Sequence, residues 1–361
     1  MKFFVDSDIS IAKTLHKDFY LNENLFQESK EKLFSNSIQF IGDDSCVKNS
    51  GDCFPFTMLP DLLNEPLVLS RDKNNSIHCL SNVCTHRGNL VVNEKCSSAH
   101  LRCRYHGRQF ELNGKFHSMP EFKEVKNFPS AADDLKQLPV FNWKKFLFTS
   151  LSSTINSEKF LSEMKSRLDW LPLEEFVFHP ELSKDFLVNA HWALYCENYL
   201  EGFHIPFVHA GLNAVIDFNE YTTELFSHSS LQLGIAKDNE NCFDIPSSSP
   251  DYGKKIAAYY FFVFPNMMFN FYPWGLSVNI VEPISVSQTR VRFQTYAWKE
   301  NLLNHGAGSQ LDKVELEDEE IVEAVQRGIR SRFYNHGRYS VTREQGTHHF
   351  HRMICEFMNR E

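Results

Sequence analysis

CTHRG at residues 84–88 and CRYHG at residues 103–107 each carry one thiol, one imidazole and a closing glycine, Gly88 or Gly107. Around them the chain runs in short alternating segments: SIQFIGD, EPLVLSR, SIHCLSNV, HLRCRY, RQFEL, KFHS and NWKKFLFTS. Each is bounded by Gly, Asn, Asp, Pro or Ser, and a period of two marks half-buried strands. Asp72-Lys73-Asn74-Asn75 and Asn113-Gly114 supply residues that tolerate positive φ, so they read as hairpin turns. Residues 38–150 are therefore predicted to form a small all-β domain, with both Cys/His pairs in loops where a strand ends.

Two loops that each give a thiolate and an imidazole can meet around one inorganic centre. A Rieske [2Fe–2S] cluster needs two thiolates on one iron and two neutral imidazoles on the other. A tetrahedral zinc site uses the same donors, but zinc fingers usually pair like with like, as C-x₂₋₄-C and H-x₃₋₅-H. The mixed arms favour a cluster held by Cys84, His86, Cys103 and His106. The chain has nine cysteines, an odd number, and is large enough to fold without staples, which argues against a disulfide framework. Cys46, Cys53, Cys79, Cys96, Cys196, Cys242 and Cys355 show no paired spacing and are expected to be buried thiols.

A chain of 361 residues exceeds one ordinary core and indicates two domains. The content of 33 Phe, 12 Tyr and 5 Trp excludes a disordered chain. No apolar run approaches the ~18 residues of a membrane span; the longest, around Ala257 to Phe264, stops at Pro265. The N-terminal MKFFVDSDIS places Asp6 and Asp8 where a signal core would lie, so a cytoplasmic location is expected. A net charge of −9 argues against a nucleic-acid backbone as main partner.

Residues 1–37 carry Leu15, Phe19, Leu21, Leu25 and Leu33 at helical spacing and read as a helical segment packing on the larger domain. A Ser/Thr/Asn-rich linker, Ser150 to Ser157, leads into that domain, residues 151–361. Its texture predicts a helix at 158–168, a strand at 183–190 and a helical stretch from Trp192. Strands follow near 228–236, 256–264, 267–272, 276–283 and 289–298, then an acid-rich helix over 317–333. The fold class is α+β: a small all-β domain plus a larger one with an antiparallel sheet flanked by helices.

Within the larger domain, residues 191–209 read HWALYCENYLEGFHIPFVH. Glu197, Glu201 and His204 fall close to one helical face. His204 and His209 would diverge on a continuous helix, but Pro206 should break it and let both rings converge on one ion. Two imidazoles and a carboxylate with open positions form the facial triad of non-haem Fe(II) oxygenases. On the late helix, Ile321, Val322, Val325 and Ile329 mark a buried side that would include Asp318, a carboxylate needing a partner there. The residues alone leave a second reading open, in which Glu317, Asp318, Glu319 and Glu320 complement the helix N-terminus. His191 and the triplet His348, His349 and His351 are further metal candidates, though single histidines more often serve structure.

CTHRG and CRYHG, followed by ENYLEGFHIPFVH, resemble the α subunits of Rieske non-haem iron oxygenases over nearly the whole chain from about residue 40. The resemblance implies a [2Fe–2S] cluster on Cys84, His86, Cys103 and His106, and a mononuclear Fe(II) on His204, His209 and Asp318. LEDEEIVEAVQRG resembles the segment bearing the third ligand, and Asn198 matches a position near that iron. The family commonly has Asp three residues before the first iron His, bridging to a cluster His of a neighbouring subunit; this chain has Glu201. With FVFPNMMFNFYPWGLSVNIVEP and GRYSVTREQGTHHFHRM, the sequence looks most like the branch acting on choline, carnitine, glycine betaine and stachydrine.

The resemblance further implies a homotrimer that takes electrons from an NAD(P)H-dependent reductase, binds O₂ and hydroxylates a small organic substrate. An N-methyl target would be demethylated, and a ring-hydroxylating reaction on an aromatic substrate is the alternative. A quaternary ammonium has no N–H and is best held by aromatic faces. Candidate faces are Tyr195, Tyr199, Phe203 and Phe207 near the iron motif, and Tyr259, Tyr260, Phe262, Phe264, Phe269, Phe271, Tyr272 and Trp274 in the strands. Alternating aromatics in strands are also ordinary core, and both readings stay open at this point.

Overall fold

Three small antiparallel sheets make up the unit formed by residues 35–155 of the computed structural model, which describes residues 2–303, 305–309 and 311–360. The five-stranded sheet orders Cys96–Ser97, Asp52–Met58, Glu65–Arg71, Ile77–Ser81 and Gln137–Leu138 side by side. A second joins Leu101–Arg102, Gln109–Phe110 and Phe116–Ser118, and a third joins Gln39–Asp43, Phe146–Thr149 and Val140–Trp143. The hairpin at Asp72 turns because Asn75 takes φ +63° and the Asp72 carboxylate accepts from the Asn74 and Ser76 amides. Gly114 sits at φ +86°, and a Cβ there would meet Leu80 at 2.9 Å.

The core of this unit includes Val68, Leu80, Leu101 and Phe110, with Cys84 and Cys103 buried among them. Arg108, only 2% exposed, is tolerated there because Asp133 pairs with it at 2.8 Å and three phenylalanine rings lie 5.1–5.6 Å from its guanidinium. Not all the remaining cysteines are buried: Cys96 and Cys242 are exposed and Cys46 is half-buried. Single thiols carry too little apolar surface to dictate their own burial.

The other unit comprises residues 1–34 and 156–361. Its antiparallel sheet runs Val177–Phe178, Gln288–Ala297, Gly275–Ser285, Met267–Tyr272, Ile256–Val263, Ser229–Ile235 and Thr222–Leu225, and Lys184–Val188 also pairs with Gln288–Ala297. Register separates the two faces. Gln232, Tyr260, Asn270 and Ser277 are successive cross-strand partners, and Asn279 pairs with Phe293, so these side chains share one face. Leu231, Phe261, Phe269 and Val278 occupy the other.

Helices Asp18–Leu21 and Glu23–Ser29 place Phe19 and Phe26 against His191, at ring distances of 5.3 and 6.1 Å. A C-terminal helix, Gln345–Met358, covers the far end of the sheet, with Phe350 against Phe262 and Phe357 against Phe264. Two helices then frame the site. Trp192–Tyr199 lies against Leu311–Gly328, which begins six residues before the expected start at 317. Four polar rungs tie Trp192–Tyr199 and the residues just before it to Leu311–Gly328: Asn189 to Glu323, His191 N–H to Gln326, Tyr195 to Glu315 and Asn198 to Asp318.

Those rungs explain a difference from the sequence pattern. Ile321 and Val325 are about 40% exposed, whereas Glu315, Val322 and Gln326 are buried. The inward face of Leu311–Gly328 is polar because it meets polar partners, so apolar periodicity points the wrong way there.

Candidate active site

The first helix ends at Leu200, earlier than the break expected at Pro206. The chain bends at Gly202 and turns at Phe203 and His204, and Pro206 lies in the first turn of the next short helix, Ile205–Val208, where its missing N–H costs nothing. His204 and His209 flank that helix as its two caps. Their rings lie 5.0 Å apart at 80°, and both present Nε2 to Asp318 Oδ1, at 3.6 and 3.0 Å. Ligand atoms of His204, His209 and Asp318 all fall within 4.8 Å of one another. Glu197 does not join them; it faces His351 at 3.1 Å.

Each imidazole is oriented from behind. Glu201 Oε1 lies 2.7 Å from His204 Nδ1, and Glu317 Oε2 lies 2.8 Å from His209 Nδ1. Glu201 is itself anchored by the backbone N–H groups of Phe203 and His204, both donating to Oε2. Carboxylates at Nδ1 leave each Nε2 as the ligating atom. Asn198 Nδ2 donates to Asp318 Oδ1 at 3.1 Å and restrains that carboxylate. Burial tends to lower the pKa of His209, but Asp318 and Glu317 outweigh it and hold the ring above its ordinary value. This donor set fits an open-sided Fe(II) centre. Because the helix starts at Leu311, Glu317 and Asp318 stand too far inside it to complement its N-terminus.

A cavity opens over this trio. The shared face of the sheet lines it with Gln232, Tyr260, Asn270, Tyr272, Asn279 and Phe293, and the helices and loops add Tyr195, Tyr199, Tyr221, Glu201 and Glu315. Of the aromatic residues singled out in the sequence, Tyr195, Tyr199, Tyr260 and Tyr272 line it. Tyr259, Phe269 and Phe271 belong to the opposite face, Phe262 and Phe264 are taken by the C-terminal helix, and Trp274 stacks behind Tyr272 at 5.2 Å. Phe203 and Phe207 point outward, 41% and 80% exposed. Tyr221 and Phe293 were missed; pleat register from Tyr260 would have found Phe293, whereas Tyr221 lies in a loop. Burial holds the Glu315 carboxyl well above the ordinary carboxylate range.

In the unit 35–155 the two Cys/His loops repeat one geometry. The Gly88 N–H donates to the Cys84 carbonyl and the Gly107 N–H to the Cys103 carbonyl, both at 3.0 Å, with the glycines at φ +73° and +74°. Only glycine takes that conformation without strain. The thiols are buried, while His86 is half-buried, His106 is exposed, and their rings lie 4.8 Å apart. Backbone N–H groups point at both sulfurs, from His86 to Cys84 and from Tyr105 and His106 to Cys103. No three of these four ligands gather within 4.8 Å, as a single tetrahedral zinc would require. A deep thiol pair and a shallow imidazole pair suit two irons instead.

The remaining histidine candidates have other partners. His191 caps a helix by accepting from the Ala193 N–H. His348 and His349 bond to the carbonyls of Asp6 and Phe226, and His351 lies between Tyr20, Tyr339 and Glu197. One further group of ligating side chains converges among the described residues: His100, Glu111 and His117, with the two rings stacked at 4.0 Å.

Comparison with known proteins identifies the domains that carry the two sites. The family model described as ring hydroxylating alpha subunit (catalytic domain) matches residues 167–360, and the Rieske [2Fe-2S] domain matches residues 43–129. The chain is 28% identical to the chloroplastic choline monooxygenase of Arabidopsis thaliana, over 95% of this chain and 82% of that protein. It is 27% identical to the carnitine monooxygenase oxygenase subunit of Escherichia coli (strain K12), over 96% and 94%. Its fold is similar to a solved quaternary ammonium Rieske monooxygenase, with a TM-score of 0.80, 22% identity and coverage of 99% and 100%. Naphthalene 1,2-dioxygenase from Rhodococcus sp. gives 0.76 at 16% identity, over 96% and 94%. Fold alone therefore does not choose the substrate. The cofactors are a Rieske [2Fe–2S] cluster and a mononuclear non-haem iron, and no described helix is long and apolar enough to cross a membrane. The chain belongs to the ring-hydroxylating oxygenase alpha subunits, oxidoreductases that join a Rieske domain to a non-haem iron catalytic domain.

Proposed function

We propose that this chain is the terminal oxygenase component of a system that hydroxylates a quaternary ammonium compound, with N-demethylation or C–N cleavage as the outcome. The observation that carries this reading is the cavity wall. Tyr195, Tyr199, Tyr221, Tyr260 and Tyr272 surround the His204, His209 and Asp318 trio, and among the described residues no Lys or Arg lines the cavity. Aromatic faces without a competing cation suit a trimethylammonium group. The relatives named for choline and carnitine support the same class.

We assign Cys84, His86, Cys103 and His106 to the cluster and His204, His209 and Asp318 to the iron. When bound, the cluster supplies single electrons and the iron supplies open positions for O₂ beside the substrate. Glu201 and Glu317 keep a proton on each Nδ1, so that each Nε2 lone pair stays available. Asn198 fixes Asp318 Oδ1, and the tyrosines orient the cation and exclude water. One oxygen atom enters an N-methyl C–H bond; the other leaves as water with two electrons and two protons. The N-hydroxymethyl product collapses to the demethylated amine, formaldehyde and a proton.

We assign an NAD(P)H-dependent reductase as the electron source; a family whose alpha subunits work with a reductase supports the coarser part of this. We assign a homotrimer in the cytoplasm, with Glu201 linking His204 to a cluster histidine of the neighbouring copy. Inter-subunit electron transfer described for the solved quaternary ammonium monooxygenase supports this arrangement. The test is a panel of quaternary amines and aromatic acids with a surrogate reductase, scored for formaldehyde and hydroxylated product. Formaldehyde from a quaternary amine is expected; cis-diol from an aromatic acid alone would replace the reading with ring hydroxylation. Asp318→Ala should lose the mononuclear iron and keep the cluster absorbance, and undiminished iron would move the ligand elsewhere.

A further inference from the structure

Glu315 lines the cavity, is 3% exposed, and has no role among the proposed iron ligands or their carboxylate supports. Tyr195 Oη donates to its Oε2 at 2.5 Å. Its Oε1 has no hydrogen-bond partner among the described residues. Every other cavity carboxylate is matched: Glu201 by His204, and Asp318 by His204, His209 and Asn198. The cavity thus contains one carboxyl group built in at depth and left without a counter-charge.

Such a group is costly unless a cation joins it. Its position restricts what that cation can be. Glu315 precedes Asp318 by three residues on the helix Leu311–Gly328, so both side chains rise from one face about 5–6 Å apart. A charge held at Glu315 therefore lies in the same cavity as the iron trio. Burial disfavours the ionised carboxyl and raises its pKa, and a neighbouring cation opposes that shift.

We propose that Glu315 is a specificity-determining residue, the counter-ion that reads the positive charge of the substrate while the tyrosine faces read its shape. This rests on the quaternary ammonium reading and names the group that would enforce it. Tyr195 is then a positioning residue that holds one carboxylate oxygen and leaves the other for the ligand. An uncharged molecule of the same shape would fill the aromatic walls but leave Oε1 unpaired.

The test compares charged ligands with their carbon isosteres on the metal-loaded protein: choline with 3,3-dimethylbutan-1-ol, and γ-butyrobetaine with 5,5-dimethylhexanoate. Dissociation constants are measured by calorimetry for wild type, Glu315→Gln and Glu315→Asp, with iron content and cluster absorbance as folding controls. Wild type should prefer the cation of at least one pair. Glu315→Gln keeps the side-chain volume and the Tyr195 contact, and should cut that preference by about 30-fold or more through weaker cation binding, with isostere affinity unchanged. Glu315→Asp should retain part of it, and carries the same comparison if the Gln variant does not fold. A preference unchanged in the variants overturns the counter-ion role and leaves the substrate class standing. A wild type with no preference for either cation overturns the substrate class, and the counter-ion role with it.

Discussion

Removing the carboxylate behind His209 tests whether the two histidines are held as ligands or simply packed. Glu317 Oε2 lies 2.8 Å from His209 Nδ1, on the ring edge away from Asp318. Losing such an outer partner typically weakens metal binding 10–100-fold, or about 1.4–2.7 kcal/mol. The structure points to the lower half of that range. The Glu317 side chain is 28% exposed and shares its charge with Lys313 at 3.8 Å, so water can replace part of what it gives. We expect Glu317→Ala to weaken ferrous iron binding by about 10- to 30-fold, with Glu317→Gln intermediate. The assay is anaerobic chelator competition, with the cluster absorbance as an internal control and Lys313→Ala as a surface control without effect. Unchanged iron affinity in Glu317→Ala would refute the argument, and so would a loss as complete as that in Asp318→Ala.

Glu201 is better anchored than Glu317, with two backbone donors and 15% exposure, so Glu201→Ala should weaken iron binding more than Glu317→Ala. Glu201→Gln, loaded at saturating iron, should keep both metal centres and lose turnover; near wild-type turnover would sink the bridging role. His191 is buried among Phe19, Tyr20 and Trp192, and burial lowers its pKa to about 3. The unfolded ring titrates near 6.5, so the unfolded state takes up the proton first as pH falls; this stability is full above about 6.5 and costs about 2 kcal/mol between pH 7 and 5. His191→Asn keeps the helix-capping acceptor and should flatten that part of the acid dependence of urea unfolding; an unchanged slope would contradict it. A Cβ on Gly202 would lie 2.6 Å from the Tyr221 ring, which lines the cavity. Gly202→Ala should displace that ring at a cost of about 1–3 kcal/mol in stability, raising KM with iron retained, and an unaltered KM would count against Tyr221 as a wall.

Much of this molecule is readable from local pattern. The strand at Met267–Tyr272 and the helix at Glu158–Leu168 lie where alternation and helical spacing put them, because each buries one regular face. The C-terminal helix Gln345–Met358 escaped notice, since its three histidines read as chemistry rather than as one side of a helix. At the site, spacing brought out His204 and His209, but the reason they converge is different. The chain leaves the helix at Leu200, next to Gly202 packed against Tyr221, and Pro206 starts a turn instead of ending one.

Two mixed Cys/His loops closed by glycines at positive φ, and two histidines beside a proline, are legible in the sequence as candidate ligands. Those requirements are local, set by backbone sterics and donor chemistry within a few residues. Which carboxylates stand behind the histidines and beside Tyr195 is visible only in the tertiary structure. Asp318 is named by the resemblance, whereas Glu317 and Glu315 sit beside it on a helix whose inward face is polar, and only their contacts with His209 and Tyr195, more than a hundred residues earlier, single them out. The same holds for the aromatic wall, where sheet register sends Tyr260 into the cavity and Tyr259 away from it toward Asp251.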